Sequence, residues 1–270
     1  MNKLSRILFK HSSSIRKWSN WTLYIIFSAY ILYLVFTTPQ PLKIVYGMIG
    51  LVVLSIILLF EWLKSLYDRM ILALTFDCNQ EKARQLRDQL IKFDYFHGFA
   101  PSLKLFDTLL LLDQGAFQEC LSHLDKHHRF FHGTKDYLLI NYHTQMQCAY
   151  YLNNRELFDD SLKKLSQLKY SLQTKKDLSP LYSWEEIDGL HFLRDKRYSQ
   201  ALKKLEGVDT TNFNPRETTY LLFEKAQVNH ALNKSSEAHR LLKDVIAQGN
   251  QLHLVELAKR KEWITFEEHQ

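Results

Sequence analysis

Glycine, proline and cysteine are scarce in this chain, at eight, five and three residues of 270. So few glycines leave little room for a phosphate-cradling loop, and no Walker-type or Gly-x-Ser-x-Gly run occurs. The cysteines, Cys78, Cys120 and Cys148, are odd in number and show no C-x-x-C spacing. That argues against a disulfide framework and fits a reducing compartment. Acidic residues are missing from residues 1–20, and residues 21–63 hold only two formal charges, Lys43 and Glu61.

These gaps divide the chain. Residues 1–20 form a basic arm carrying Lys3, Arg6, Lys10, Arg16 and Lys17. Without that arm and the cancelling Lys43/Glu61 pair, only about +1 of the formal +6 remains for residues 64–270. A nearly neutral domain lacks the broad positive field that nucleic-acid binding requires, so no nucleic-acid partner is expected.

Residues 21–63 read as a transmembrane hairpin. The first run, WTLYIIFSAYILYLVFT, covers residues 21–37; the second starts at Ile44 and extends to Leu63. Each is close to the roughly 20 residues that cross a hydrocarbon core of about 30 Å. The intervening Thr38-Pro39-Gln40-Pro41-Leu42-Lys43 is a tight turn, and Gly47 and Gly50 would let the helices approach closely. A cleaved signal peptide is disfavoured, because no small-residue cleavage site follows the first run and a second span comes at once. Five basic residues precede the first span and Lys64 and Arg69 follow the second, against Lys43 alone in the turn. The positive-inside rule then gives a multi-pass protein of the cell membrane with both termini and residues 64–270 cytoplasmic.

Beyond residue 64, apolar residues recur at three and four and strand-like alternation is absent, which predicts an all-α domain. One motif repeats: a polar turn, an aromatic or polar residue, two polar residues, a small residue and usually Leu. Its copies are Phe117-Gln-Glu-Cys120-Leu121, Phe158-Asp-Asp-Ser161-Leu162 and Tyr198-Ser-Gln-Ala201-Leu202, with weaker ones at Gln80–Arg84 and Ser235–His239. The small residue falls at 83, 120, 161, 201 and 238, at intervals of 37, 41, 40 and 37. Leu124, Leu165, Leu205 and Leu242 follow four later. A fixed small position marks where two helices must come close.

This pattern resembles the tetratricopeptide (TPR) repeat, whose second helix opens with a turn, an aromatic, two polar residues and Ala. The first-helix counterparts fall on Cys148-Ala149, Asp188-Gly189 and Lys225-Ala226, with prolines 101, 180 and 215 ahead of first helices. The intervals exceed the usual 34, the first-helix Trp is missing, and Cys120 and Ser161 replace Ala, so the resemblance is to a divergent array. It implies a TPR-like α-solenoid of about five helix pairs, closed by a capping helix from Leu252 to Phe266. Its concave face would carry Met146, Tyr150, Asn153, Asn154, Glu186, Leu190, Arg194, Phe223, Gln227 and His230.

Catalytic signals are weak. His123, His127, His128 and His132 cluster, and the four-residue spacing of His123 and His127 suits metal ligation, but no third ligand is fixed by sequence. Histidines near a helix C-terminus are favoured by the dipole in any case. Glu185-Glu186 and Asp159-Asp160 are adjacent pairs that point to different sides of a helix and cannot converge as acid and base. The expectation is a membrane-anchored scaffold that binds a protein or peptide on the concave face, as a member of a membrane complex, with no cofactor and no catalytic residues. The alternative is a regulatory membrane sensor of a ligand or peptide, and behind it stands a metal-binding protein or enzyme built on the His123–His132 cluster.

Overall fold

The computed structural model describes residue 22 and residues 24–39, 42–172 and 182–264. Among these, all regular structure is helical and there is no strand. The chain divides into two units, Met1–Asp68 and Arg69–Gln270.

The first unit contains α1 (Tyr24–Thr37) and most of α2 (Leu42–Thr75). α2 is the one helix among the described residues long and apolar enough to cross a membrane, with a mean hydropathy of 2.5 over its most apolar window. It exposes Ile44, Ile49, Leu51 and Leu58 on several sides, so its surface calls for an apolar solvent. α1 runs antiparallel to it. Tyr24 Oη donates to Glu61 Oε1 at 2.7 Å, Gly50 lies against Ile31, and a Cβ on Gly47 would sit 3.7 Å from Val35. The two glycines thus occupy the close approach that their spacing suggested. With no breaker after Leu63, α2 runs on unbroken from the apolar span to Thr75, and the compact units part within it, at Asp68/Arg69.

The second unit follows α2 with α3 (Gln80–Phe93), α4 (Ala100–Asp113), α5 (Phe117–Lys126), α6 (His128–Phe131), α7 (Lys135–Tyr151) and α8 (Arg155–Leu172). After residues 182 and 183 come α9 (Trp184–Arg194), α10 (Tyr198–Glu206), α11 (Pro215–Ala231), α12 (Ser235–Gly249) and α13 (His253–Arg260). Successive helices pair as α4 with α5, α7 with α8, α9 with α10, and α11 with α12. The recurrent small residues Ala83, Cys120, Ser161, Ala201 and Ala238 are all closed to solvent, as are Leu124, Leu165, Leu205 and Leu242. Where a first helix meets its second, Gly189 approaches Leu205 so closely that a Cβ would lie 2.5 Å from its Cδ2.

The turn inside each pair has one recurring geometry. Gly115, Asn153, Lys196 and Asn233 take positive φ of 72°, 52°, 59° and 58°. The next N–H in each case reaches back five residues: Ala116 to Leu111 O, Asn154 to Ala149 O, Arg197 to Phe192 O and Lys234 to Asn229 O. This is the Schellman ending, which satisfies carbonyls that a helix terminus would leave unpaired. In α3, α5, α10 and α12 the aromatic or polar residue that heads the motif opens the helix. α8 instead opens three residues earlier, at Arg155, with the Asn154 side chain accepting from Leu157 N at 3.0 Å. Nearly one extra turn leaves Phe158, Ser161 and Leu165 on the buried face.

Proline punctuation also places first helices. Pro101 and Pro215 lie in the first turns of α4 and α11, and Asn214 and Glu217 form a reciprocal capping box at α11. Pro180 lies outside the described residues. The predicted final helix is shorter than expected, since α13 ends at Arg260 where Lys261 turns left-handed and Glu262 N bonds Leu257 O. Residues 265 and 266 are outside the described region.

The last pair meets the first. Asn250 Nδ2 donates to Asp77 O at 2.9 Å, Gln251 N to Cys78 O at 3.2 Å, and Glu81 N to Gln251 Oε1 at 3.0 Å. His253, opening α13, packs edge-on against Phe117 and over Gly115, where a Cβ would lie 2.6 Å from its ring. Gly115→Ala therefore combines a left-handed alanine with a displaced imidazole. It is expected to cost about 1–3 kcal/mol in urea unfolding of the full chain in detergent.

Candidate ligand cavity

A cavity of the second unit, about 450 Å³, lies among α4, α7, α9 and α11 and is lined by Leu109, His143, Gln147, Tyr182, Glu186, Arg216, Glu217 and Tyr220, among others. Its floor is a buried ion pair. Asp113, the last residue of α4, is fully buried, and Arg216, in the first turn of α11, donates from Nε to Oδ1 at 2.8 Å and Oδ2 at 2.7 Å. Tyr220, one turn further along α11, donates to the same Oδ1 at 2.9 Å, and Gln80 Nε2 donates to the Asp113 carbonyl at 2.6 Å. Burial pushes the Asp113 carboxyl up while Arg216 and Tyr220 oppose that push. Burial likewise works against the Arg216 charge, but Asp113 outweighs it and holds the guanidinium ionised.

The walls are polar and incompletely paired. His143 stacks on Tyr182 with centroids 3.7 Å apart and planes within 12°. Burial, with Arg216 adding to it, lowers His143 to about 3, so the imidazole is neutral, and its Nε2 has no hydrogen-bond partner among the described residues. Glu186 is 9% exposed and its carboxyl makes no hydrogen bond among the described residues. Burial, reinforced by Glu217 and opposed by Arg216, raises it to about 7. Deeper in the core, Tyr150 Oη donates to Gln227 Oε1 at 2.6 Å, while Gln227 Nε2 and Glu224 Oε2 are buried without partners among the described residues. Burial keeps Glu224 well above the usual carboxylate range.

The ten residues expected on a concave face have different fates. Met146, Tyr150, Leu190, Phe223 and Gln227 are closed within the core, and Glu186 alone lines the cavity. Arg194 is buried against the Phe158 ring, 4.5 Å away, and pairs with Asp159 at 2.6 Å. Asn153 supplies the left-handed turn residue, Asn154 caps α8, and exposed His230 is stacked on Trp263 at 4.2 Å. The histidine cluster straddles α5 and the short α6. His123 Nε2 lies 3.0 Å from Lys104 O and its ring 4.7 Å from that of His127. His128 and His132 stack separately at 3.8 Å. Among the described residues no group of three or more His, Cys, Asp or Glu is placed to hold a metal.

Sequence reasoning missed Asp113, His143, Tyr182, Arg216 and Tyr220. For His143 a signal existed: it falls between Leu139 and Met146 on the inward side of α7, where an apolar residue belongs. Asp113 and Arg216 lie 103 residues apart, and nothing local announces their meeting. No protein-family model, curated protein or solved structure matches the chain.

The Glu186 shift has a defined pH consequence. Between 4.5 and about 7 the folded chain keeps a proton that the unfolded chain has released, so this group's contribution to stability falls as pH rises through that window and then levels. Glu186→Gln removes the dependence. The variant is expected to match the parent near pH 4.5 and to exceed it by about 1–3 kcal/mol at pH 8, measured by urea unfolding in detergent.

Proposed function

We propose that the chain is a membrane-anchored, non-catalytic binding protein whose divergent TPR-like helical domain senses or recruits a ligand through the interior cavity. The observation that carries this reading is the cavity itself: a polar chamber of about 450 Å³ walled by His143, whose Nε2 has no partner among the described residues, and by Glu186, whose carboxyl makes no hydrogen bond among them. Buried polar groups are normally satisfied, and leaving them bare is costly. An opening between helices with a few convergent polar groups is the usual form of a ligand site. The closed packing of Met146, Tyr150, Leu190 and Phe223 favours this chamber over an open concave groove. A peptide segment of a partner protein is the proposed source of the ligand, and membrane tethering would keep capture at the bilayer.

In the proposed topology α1 and α2 both span, with the termini and the helical domain cytoplasmic. All three native cysteines are buried, so a single introduced thiol reports alone. Gln40→Cys should react with an impermeant maleimide on intact cells and Lys234→Cys should not. Labelling of Lys234→Cys from outside contradicts the topology.

The binding reading is tested by filling the chamber. Thr144, closed to solvent and on the cavity wall, becomes Trp in one variant, while exposed Arg240 becomes Ala in another. Affinity capture of the solubilised full chain should yield a stoichiometric partner that Thr144→Trp loses and Arg240→Ala retains. Equal capture by both variants contradicts the reading.

A further inference from the structure

Resting on that reading, we propose that the cavity recognises a cation: an ammonium or guanidinium group, carried by a small amine or a basic peptide side chain, seated on the Glu186 carboxylate. Charge supplies the first argument. Glu185, Glu186, Asp209 and Glu217 line the chamber, and the one guanidinium among its described lining residues, Arg216, is already matched by Asp113. His143 contributes no positive charge at neutral pH. The field inside is therefore negative, and a low-dielectric wall strengthens it.

Pairing supplies the second and independent argument. Three of those carboxylates have local donors: Ser183 Oγ to Glu185, the Thr211 backbone and hydroxyl to Asp209, and Asn214 N to Glu217. Glu186 has none among the described residues, although it is about nine-tenths buried and opens on the cavity. A buried carboxyl without a partner among the described residues is the group an incoming cation would satisfy. Tyr182 and Phe213 flank the chamber with aromatic surface, which suits a cation further. An anion would have to approach four carboxylates to reach a guanidinium that is already occupied.

The groups acting on Glu186 come from every neighbouring element: His143 on α7, Tyr182 ahead of α9, Asp209 after α10, and Arg216, Glu217, Tyr220 and Glu224 on α11. Glu217 and Glu224 disfavour its ionisation and Arg216 favours it. An incoming cation adds to the favourable side, so its binding should tighten as pH rises from 6 to 8.

The test is isothermal titration calorimetry on the full chain in detergent. The probes are cadaverine, an acetyl-capped Gly-Lys-Gly amide, the same peptide with its lysine acetylated, and glutarate. Saturable binding of cadaverine or the lysine peptide, without binding of the acetylated peptide or glutarate, supports the proposal, and the tighter of the two cations identifies the source. Glu186→Gln should weaken that binding at least about tenfold. Should Glu186→Gln fail to fold, Glu217→Gln, which keeps its capping role, should weaken it by about threefold through lost field alone. The proposal is overturned if neither cation binds up to roughly 10 mM, if the acetylated peptide binds equally well, or if the carboxylate variants leave affinity unchanged. Binding of glutarate or the acetylated peptide that Thr144→Trp abolishes would overturn the cation assignment while leaving the cavity as a ligand site. Failure of the cavity reading itself shows instead as partner capture indifferent to Thr144→Trp.

Discussion

Asp113 and Arg216 are withdrawn from water together, and the arrangement of the helical domain depends on their meeting. Alone, either charge would be expensive to bury, by several kcal/mol. Paired through three short contacts, with Tyr220 completing the carboxylate, they fix the end of α4 against the start of α11. Gln80 adds the opening of α3 to the same point through the Asp113 carbonyl. α11 thus meets α4 at the Asp113 carboxylate, and α3 meets it at the carbonyl of the same residue. The chamber lies beside that convergence, with Arg216 and Tyr220 among its lining residues.

Much of the architecture was legible because repeats write the same packing demand several times. Ala83, Cys120, Ser161, Ala201 and Ala238 announced close helix contacts and are all buried. The extra turn opening α8 was not legible, because three residues of helix leave the buried face unchanged. The turns were only partly so. Gly115 is the sole glycine among the left-handed turn residues, and Cys78, Asn153, Lys196 and Asn233 hold that conformation without advertising it.

The site was harder to see for a physical reason. Repeat geometry indicates which residues point inward, and Met146, Tyr150, Leu190 and Phe223 do point inward. It does not indicate how much space remains once the α12–α13 turn reaches Asp77 and Cys78. Cavity polarity comes from isolated substitutions, such as His143 in α7 and Glu186 in α9, whose significance appears only when distant helices are brought together. The long apolar helix is the opposite case. A helix apolar on all sides is visible from composition alone, and α2 shows that property whatever its neighbours do.

The most direct check on this account is a double-mutant cycle on the buried pair, using Asp113→Asn and Arg216→Met in the full chain and urea unfolding in detergent. If the pair organises the domain, each single variant loses about 3–5 kcal/mol, and the double variant loses far less than the sum, with a coupling above about 2 kcal/mol. Losses that add within about 0.5 kcal/mol would show the two residues acting independently, and would contradict the claim that their contact holds the helical domain and its cavity together.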